Sequence, residues 1–347
     1  MKRFATRSTC SALTALFLCS ASAAAGAEAV TTLRIADSLP SGSFIHQLVT
    51  KPFMEQVEKA TNGQIKFQYF PGQQLGKAKD MLKLTQTGMA DIGYVGPSYV
   101  LDKMPLSSAF ELPGAFSDDS CQGFKAYWAS THNGGFLEKN EFAPNHIIPL
   151  LSIITRHHVY VSSDKAVKTA KDLEGLKMRS SGGAMAYTIR ELGMIPVNVS
   201  APETYESMSR GTIDGAIYPA QSAFDYGLTA LIKSGTVKKH FAGIVLTYSI
   251  SETAWKKLPK KTQDIMMEIG KKISTTSCTQ FDAAEQKAIA KMKEQGIKEI
   301  HFDAASDKVV DAAFDRTSQD WAKSLNDRGK PGSAALAAMR QAVADVK

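Results

Sequence analysis

The sequence predicts an α/β protein, and three observations carry that prediction. Residues 171–219 read as strand, helix, strand, helix, strand, and residues 32–95 follow the same grammar. The 347 residues are 44% hydrophobic and 22% charged, an ordinary globular balance that suffices for two domains with cores of their own. Strands alternating with short helices imply a parallel sheet with helices on its faces. In such sheets ligands collect beyond the carboxyl ends of the strands.

In the central unit, Leu176–Arg179 is short and half apolar, a strand broken by Gly182 and Gly183. Met185, Ile189 and Leu192 carry helical spacing over 184–192, and Gly193 stops that helix. Ile195–Val199 alternates as a strand does. A helix over 203–210 opens after Pro202 and ends at Gly211, and Ile213–Ile217 is the next strand. Arg179 stands at a strand end, where its guanidinium offers a planar fork of donors matched to a carboxylate. The alternative is a surface arginine paired with a neighbouring acid. Tyr218 ends another strand and offers a ring face or a hydroxyl.

The chain opens MKRFATRSTCSALTALFLCSASAAAGAEA, with basic Lys2, Arg3 and Arg7, an apolar core around Leu13–Leu18, and then small residues. That order is the three-part pattern of a secretory signal peptide. Cleavage is expected after Ala27, in the Ala25-Gly26-Ala27 stretch, with Ala23-Ala24-Ala25 as a second site. The apolar core is shorter than the ~20 residues a membrane span needs. Loss of residues 1–27, which hold three basic side chains and no acidic one, lowers the formal charge from +7 to +4. The remaining basic residues are scattered, so no nucleic-acid stripe is present. Cys121 and Cys278 stay in an exported, oxidising setting, either as a disulfide or as two buried thiols.

Thr32–Ala36 is the first strand, ending at Asp37-Ser38, and Pro40 and Gly42 mark a loop. A helix over 43–60 leads through Thr61-Asn62-Gly63 into strand Ile65–Phe70; a helix over 77–87 leads into strand Ala90–Val95. Residues 98–142 read as helices and loops, and His146–Ile154 and Thr155–Val161 as two strands. A helix over 219–233, strand Phe241–Tyr248 and a short helix over 252–259 follow. From Thr262 to about Gln295, Ile265, Ile269, Ile273, Phe281, Ala284, Ala288 and Met292 form a sustained 3.6-residue stripe. It reads as one long helix, or as two with a break near 274–277. Strand 297–301 and helices over 305–327 and 332–345 finish the chain.

No G-x-S-x-G, H-E-x-x-H, P-loop or C-x-x-C pattern occurs. His157 and His158 point to opposite faces of a strand, and the other histidines show no ligand spacing, so no metal and no cofactor are expected.

The ordered set AKDLEGLKMR, LGMIPV and ETYESMSRGTIDG, preceded by TNG, PGQQLG, GMADIGYVG and FELPGAF, resembles the DctP-type solute-binding proteins of TRAP transporters over nearly the whole mature chain. The resemblance implies a two-lobed, Venus-flytrap α/β fold with a long helix bridging both lobes. Lobe I is expected from 28–153 plus 244–282, and lobe II from 154–243 plus 283–347. By position, Arg179 grips the ligand carboxylate; Arg156 is either a second clamp or a hinge salt bridge; Ser38, Phe44 and Tyr94 line the cleft or belong to the core. The implied function is periplasmic capture of an organic acid by lobe closure and its delivery, as a monomer, to a small and a large membrane subunit. The alternative is a periplasmic enzyme on the same scaffold. Tyr218 and Gly96 stand where sialic-acid members carry an amide and an acid, and Ile217 stands where metal-bridging members carry a glutamate. Tyr218, with Phe44 and Tyr94, leaves room for a monocarboxylate with an apolar or aromatic body.

Overall fold

The computed structural model describes Met1 and residues 30–117, 119–162 and 167–346; the expected signal peptide beyond Met1 lies outside the described residues. The first third of the chain supplies β1 (Thr31–Ala36), α1 (Lys51–Ala60), β2 (Ile65–Phe70), α2 (Met81–Gln86), β3 (Ile92–Val95) and α3 (Ser120–Thr131). β1 pairs parallel with both β2 and β3. Next come β4 (Ile147–Val161), β5 (Lys177–Ser180), α4 (Gly183–Glu191), β6 (Ile195–Asn198), α5 (Thr204–Ser209), β7 (Gly215–Tyr218) and α6 (Ala220–Asp225). β5 pairs parallel with β6 and β7. The chain then runs through β8 (Ser234–Thr236), β9 (Ala242–Ser251), α7 (Glu252–Lys257), α8 (Lys260–Thr276), α9 (Cys278–Glu294), β10 (Lys298–Ile300), α10 (Ala304–Asp327) and α11 (Gly332–Asp345).

The strands lie in the order β2-β1-β3-β9-β4-β7-β5-β6, with β8 and β10 joined through β4. Two lobes share this sheet. One is built on β1–β3 and the other on β5–β7, and β4 and β9 cross between them as an antiparallel pair running from Ile147↔Ser251 to His157↔Ala242. Beyond His157, β4 exchanges β9 for β7 and β8. The two strands expected over 146–161 are therefore one 15-residue strand that changes partners without breaking its backbone. Its Ile-Ile-Pro-Leu-Leu run is buried apart from the half-buried Ile148, as a covered central strand requires.

The late apolar stripe folds as α8 and α9 in direct succession. Ser277 between them has ψ −13°, yet its N–H still bonds Ile273 and its carbonyl still takes Phe281 N–H, so the helix bends rather than ends. α8 packs on β4 and α1 of the first lobe, whereas α9 reaches α6 of the second. Gly270 permits the first contact, because a Cβ there would sit 1.9 Å from the Leu150 carbonyl oxygen. The helix expected over 219–233 stops at Asp225, and β8 follows where no strand period is visible. Cys121 and Cys278 form a disulfide with Cα atoms 4.9 Å apart, joining α3 to the start of α9. Among the described residues no helix is long and apolar enough to cross a membrane.

Candidate functional site

β5 and β7 run parallel and end side by side, which carries Arg179 and Tyr218 to the junction of the lobes. Arg179 is 1% exposed. Its Nε donates to the Val199 carbonyl at 2.9 Å, its Nη1 to the Ile217 carbonyl at 3.3 Å, and its Nη2 reaches the Tyr99 hydroxyl of the other lobe at 3.4 Å. The Tyr218 ring lies 5.0 Å from its Cζ, a cation–π contact in a dry setting. Among the described residues no carboxylate pairs with this guanidinium. A buried charge held in place by neutral carbonyls is costly unless an anion completes it.

The guanidinium faces a cavity of about 30 Å³ between the lobes. Leu39, Ile45 and Leu246 give it apolar walls, and Tyr94, Tyr99, Tyr218 and Tyr226 give it aromatic ones. Thr155, His157 and Ser222 are its other polar residues. Tyr94 is positioned from behind: its ring packs 5.0 Å from Tyr248, whose hydroxyl donates to Asp37 at 2.6 Å. Tyr69 donates to the same oxygen at 2.8 Å. Burial pushes the Asp37 carboxyl up to about 6 against the pull of these bonds.

Strand alternation in β4 sorts its residues. Thr155 and His157 face the cavity, and Arg156 and His158 face the other side. There Arg156 Nη2 pairs with Asp282 at 2.8 Å and Glu285 at 3.4 Å. The clamp reading of Arg156 is thus corrected: it ties β4 to α9 at the crossing between lobes. Glu285 Oε1 also accepts from His158 and His240 at 2.8 and 2.9 Å. Burial alone raises the Glu285 carboxyl, but these two imidazoles hold it well below its ordinary value. His158, His240 and Glu285 are the one group among the described residues with the makings of a metal site. Both nitrogens already lie at hydrogen-bond distance from a single oxygen, and the Arg156 cation flanks it. That arrangement is a hydrogen-bonded hub rather than ligands spread around an ion.

The structure brings Arg179, Tyr218 and Tyr94 to one cavity. Ser38 and Phe44 stand one residue away from its wall, which Leu39 and Ile45 form. The Asp37 carboxylate accepts Leu39 N–H at 2.8 Å, and that turn swings Leu39, not Ser38, inward. Phe44 instead packs edge-on against Phe281, and its N–H donates to Asp225 across the seam between lobes at 3.3 Å. Period-two reading of β4 and β9 groups Thr155 with His157 and Ile244 with Leu246, without saying which face meets the cavity; Tyr99 and Tyr226 carry no such signal.

The lobes meet a second time at the start of α4. Gly183 there packs against Ser98, Ser108 and Glu111 of the first lobe. Glu111 accepts from the Ser98 hydroxyl and from Val245 N–H, and burial pushes its carboxyl up to about 7.

Residues 35–324 match the family described as bacterial extracellular solute-binding protein, family 7, DctP. The uncharacterized protein YiiZ of Salmonella typhimurium is 31% identical over 171 residues, 47% of this chain and 49% of its own length. A marine metagenome TRAP solute-binding protein from an unidentified microbe, specific for aromatic acid ligands and holding 3-hydroxybenzoate, superposes with a TM-score of 0.83 at 21% identity, over 92% of this chain and 99% of that one. A TRAP solute-binding protein from Rhodoferax ferrireducens with copurified benzoate gives 0.81 at 22%, over 91% and 98%. At these identities the two structures establish the two-lobed fold and nothing finer.

Proposed function

We propose, from a chain that belongs to family 7 of the bacterial extracellular solute-binding proteins, the DctP family, that the cavity captures a monocarboxylate with an aromatic or apolar body. The family is one of solute-binding proteins of TRAP transporters, not of enzymes. The observation that carries the ligand reading is the buried Arg179, paired with no carboxylate among the described residues and set among four tyrosines. A carboxylate on Nη2 completes its charge, and the tyrosine rings take up a flat apolar body. The aromatic acids held by the two structural relatives support the same class.

Arg179 binds the carboxylate, Tyr218 stacks against the guanidinium and fixes its plane, and Tyr94 closes the first-lobe wall. At about 30 Å³ the cavity admits an aromatic acid only as the lobes part, so binding couples to hinge bending. The hinge is the β4–β9 crossing with the bend at Ser277. The partner change of β4 supports lobe limits of 28–153 plus 244–282 and 154–243 plus 283–347. The protein acts as an exported, periplasmic monomer cleaved near Ala27, performs no chemistry, and hands its ligand to a small and a large membrane subunit.

The test is a thermal-shift screen of the purified protein against benzoate, phenylacetate, malonate and galacturonate, followed by calorimetry. A bound ligand raises the melting temperature by linkage. Arg179→Met is expected to weaken the best ligand by about 100-fold or more, because it strands a buried carboxylate. Unchanged affinity in that variant overturns the reading.

A further inference from the structure

The cavity holds more polarity than a carboxylate uses. Among the described residues, two buried side-chain atoms with no hydrogen-bond partner belong to its wall: His157 Nδ1 and the Tyr226 hydroxyl. His157 is 1% exposed, and its other nitrogen is already engaged with the Thr155 hydroxyl at 3.0 Å. The Ile217 carbonyl lies near the imidazole and accepts from Arg179 Nη1, but it makes no hydrogen bond with His157 Nδ1. Tyr226 stands edge-on to Tyr218 with ring centroids 6.3 Å apart, and the His157 ring lies 6.3 Å from the same ring. Tyr218 therefore neighbours the guanidinium and two rings that each carry a polar atom without a partner. Buried polar groups are paired with few exceptions, and each exception calls for an explanation.

We propose that His157 and Tyr226 form a second polar subsite that reads a hydroxyl group on the ligand, so that the protein selects hydroxylated aromatic monocarboxylates over their unsubstituted counterparts. This inference rests on the carboxylate reading of Arg179 and adds the ligand's second handle. Charge decides which group fits. Burial first, and then Arg179, hold the His157 imidazole well below its ordinary value, so the ring is neutral. A ligand ammonium is repelled by the guanidinium in the same wall. A second carboxylate finds no second cation, since Arg179 is the one arginine or lysine in the wall. A hydroxyl both donates and accepts. It therefore satisfies either tautomer of His157 and either orientation of the Tyr226 hydroxyl, whereas a ketone or ether only accepts.

The experiment is calorimetry with matched pairs at fixed pH: benzoate against 2-, 3- and 4-hydroxybenzoate, phenylacetate against mandelate, and isophthalate as the dicarboxylate control. At least one hydroxylated acid is expected to bind about tenfold or more tighter than its parent, the factor that one satisfied hydrogen bond supplies. In Tyr226→Phe or His157→Leu that ratio falls toward one, whatever the variant's absolute affinity. Tyr226→Phe removes one oxygen and keeps the ring, so it safeguards the test against misfolding of the histidine variant. Equal binding of parent and hydroxylated acids by the native protein, a preference kept by both variants, or tightest binding of isophthalate overturns the subsite. The first of these leaves the carboxylate reading standing. Failure of every acid to bind overturns both.

Discussion

Gly183→Ala separates the energetics of closure from those of folding. Gly183 has φ +53°, and a Cβ built on it would lie 2.7 Å from Ser98 Oγ and 3.0 Å from both Glu111 Oε2 and Ser108 Cβ. Two distinct penalties follow. The left-handed backbone disfavours alanine by roughly 1–2 kcal/mol in open and closed forms alike, so it lowers stability and leaves affinity untouched. The overlap exists only when α4 of the second lobe seats on the first. The Ser98 hydroxyl is tied to Glu111 and cannot swing aside freely, so overpacking of ~1–3 kcal/mol falls on the closed state alone. The apparent affinity then drops by the lost fraction of closed molecules, about 5- to 150-fold. Gly211→Ala is the control: its φ is +69° and nothing lies within 4 Å of its Cβ, so it takes the backbone penalty without the overlap. Calorimetry with the best acid gives the affinities, and small-angle scattering gives the shape. Equal affinity for both variants and the native protein, with the compact bound shape retained, would refute the assignment of this contact to closure.

Three further outcomes are expected. Replacing Cys121 and Cys278 by serine frees a link spanning 157 positions in sequence, and loop entropy sets the loss at up to about 5 kcal/mol, or about 10 °C; a melting temperature that moves less than about 2 °C counts against it. Glu111 and Glu141, pushed by burial from 4.5 to about 7, hold protons in the folded state that the unfolded chain gives up. Their contribution is full below about 4.5 and is lost as pH rises through 7, on the order of 3 kcal/mol each. Buried His132 and His158, held below their ordinary value chiefly by burial, act oppositely, favouring stability above 6.5 and losing it on acidification. The difference between native protein and Glu111→Gln therefore isolates the carboxyl: the variant's relative melting temperature should climb from pH 5 to pH 8, and a flat difference contradicts the assignment. Finally, Glu285→Ala leaves Arg156 and two imidazoles around a void at the lobe crossing, and a loss of about 3 kcal/mol is expected in urea unfolding.

The repeating strand–helix grammar was legible because its signals are local. β5, α4, β6 and α5 fall within two residues of their expected limits, and Arg179 reaches its strand end for the same reason. What escaped depends on contacts distant in sequence. Arg156 and His157 are neighbours whose fates differ because the cavity lies on one face of β4, and nothing in the local pattern says which face. Glu285 meets two histidines 127 and 45 positions away, a spacing no ligand pattern contains. β8 is three residues long and exists because β4 and β10 offer edges to it. The disulfide stayed open because only tertiary packing sets the 4.9 Å between its Cα atoms.

The placement of β9 between β3 and β4 also has a meaning for the nascent chain. β3 is complete at Val95 and β4 at Val161, yet the strand that belongs between them ends only at Ser251. At ordinary translation speeds both edges wait on the order of 10 s for it. Throughout that interval they present unsatisfied backbone groups to whatever strand comes near, so the growing polypeptide is most vulnerable to aggregation, and most in need of a chaperone, during those ninety-odd residues of elongation.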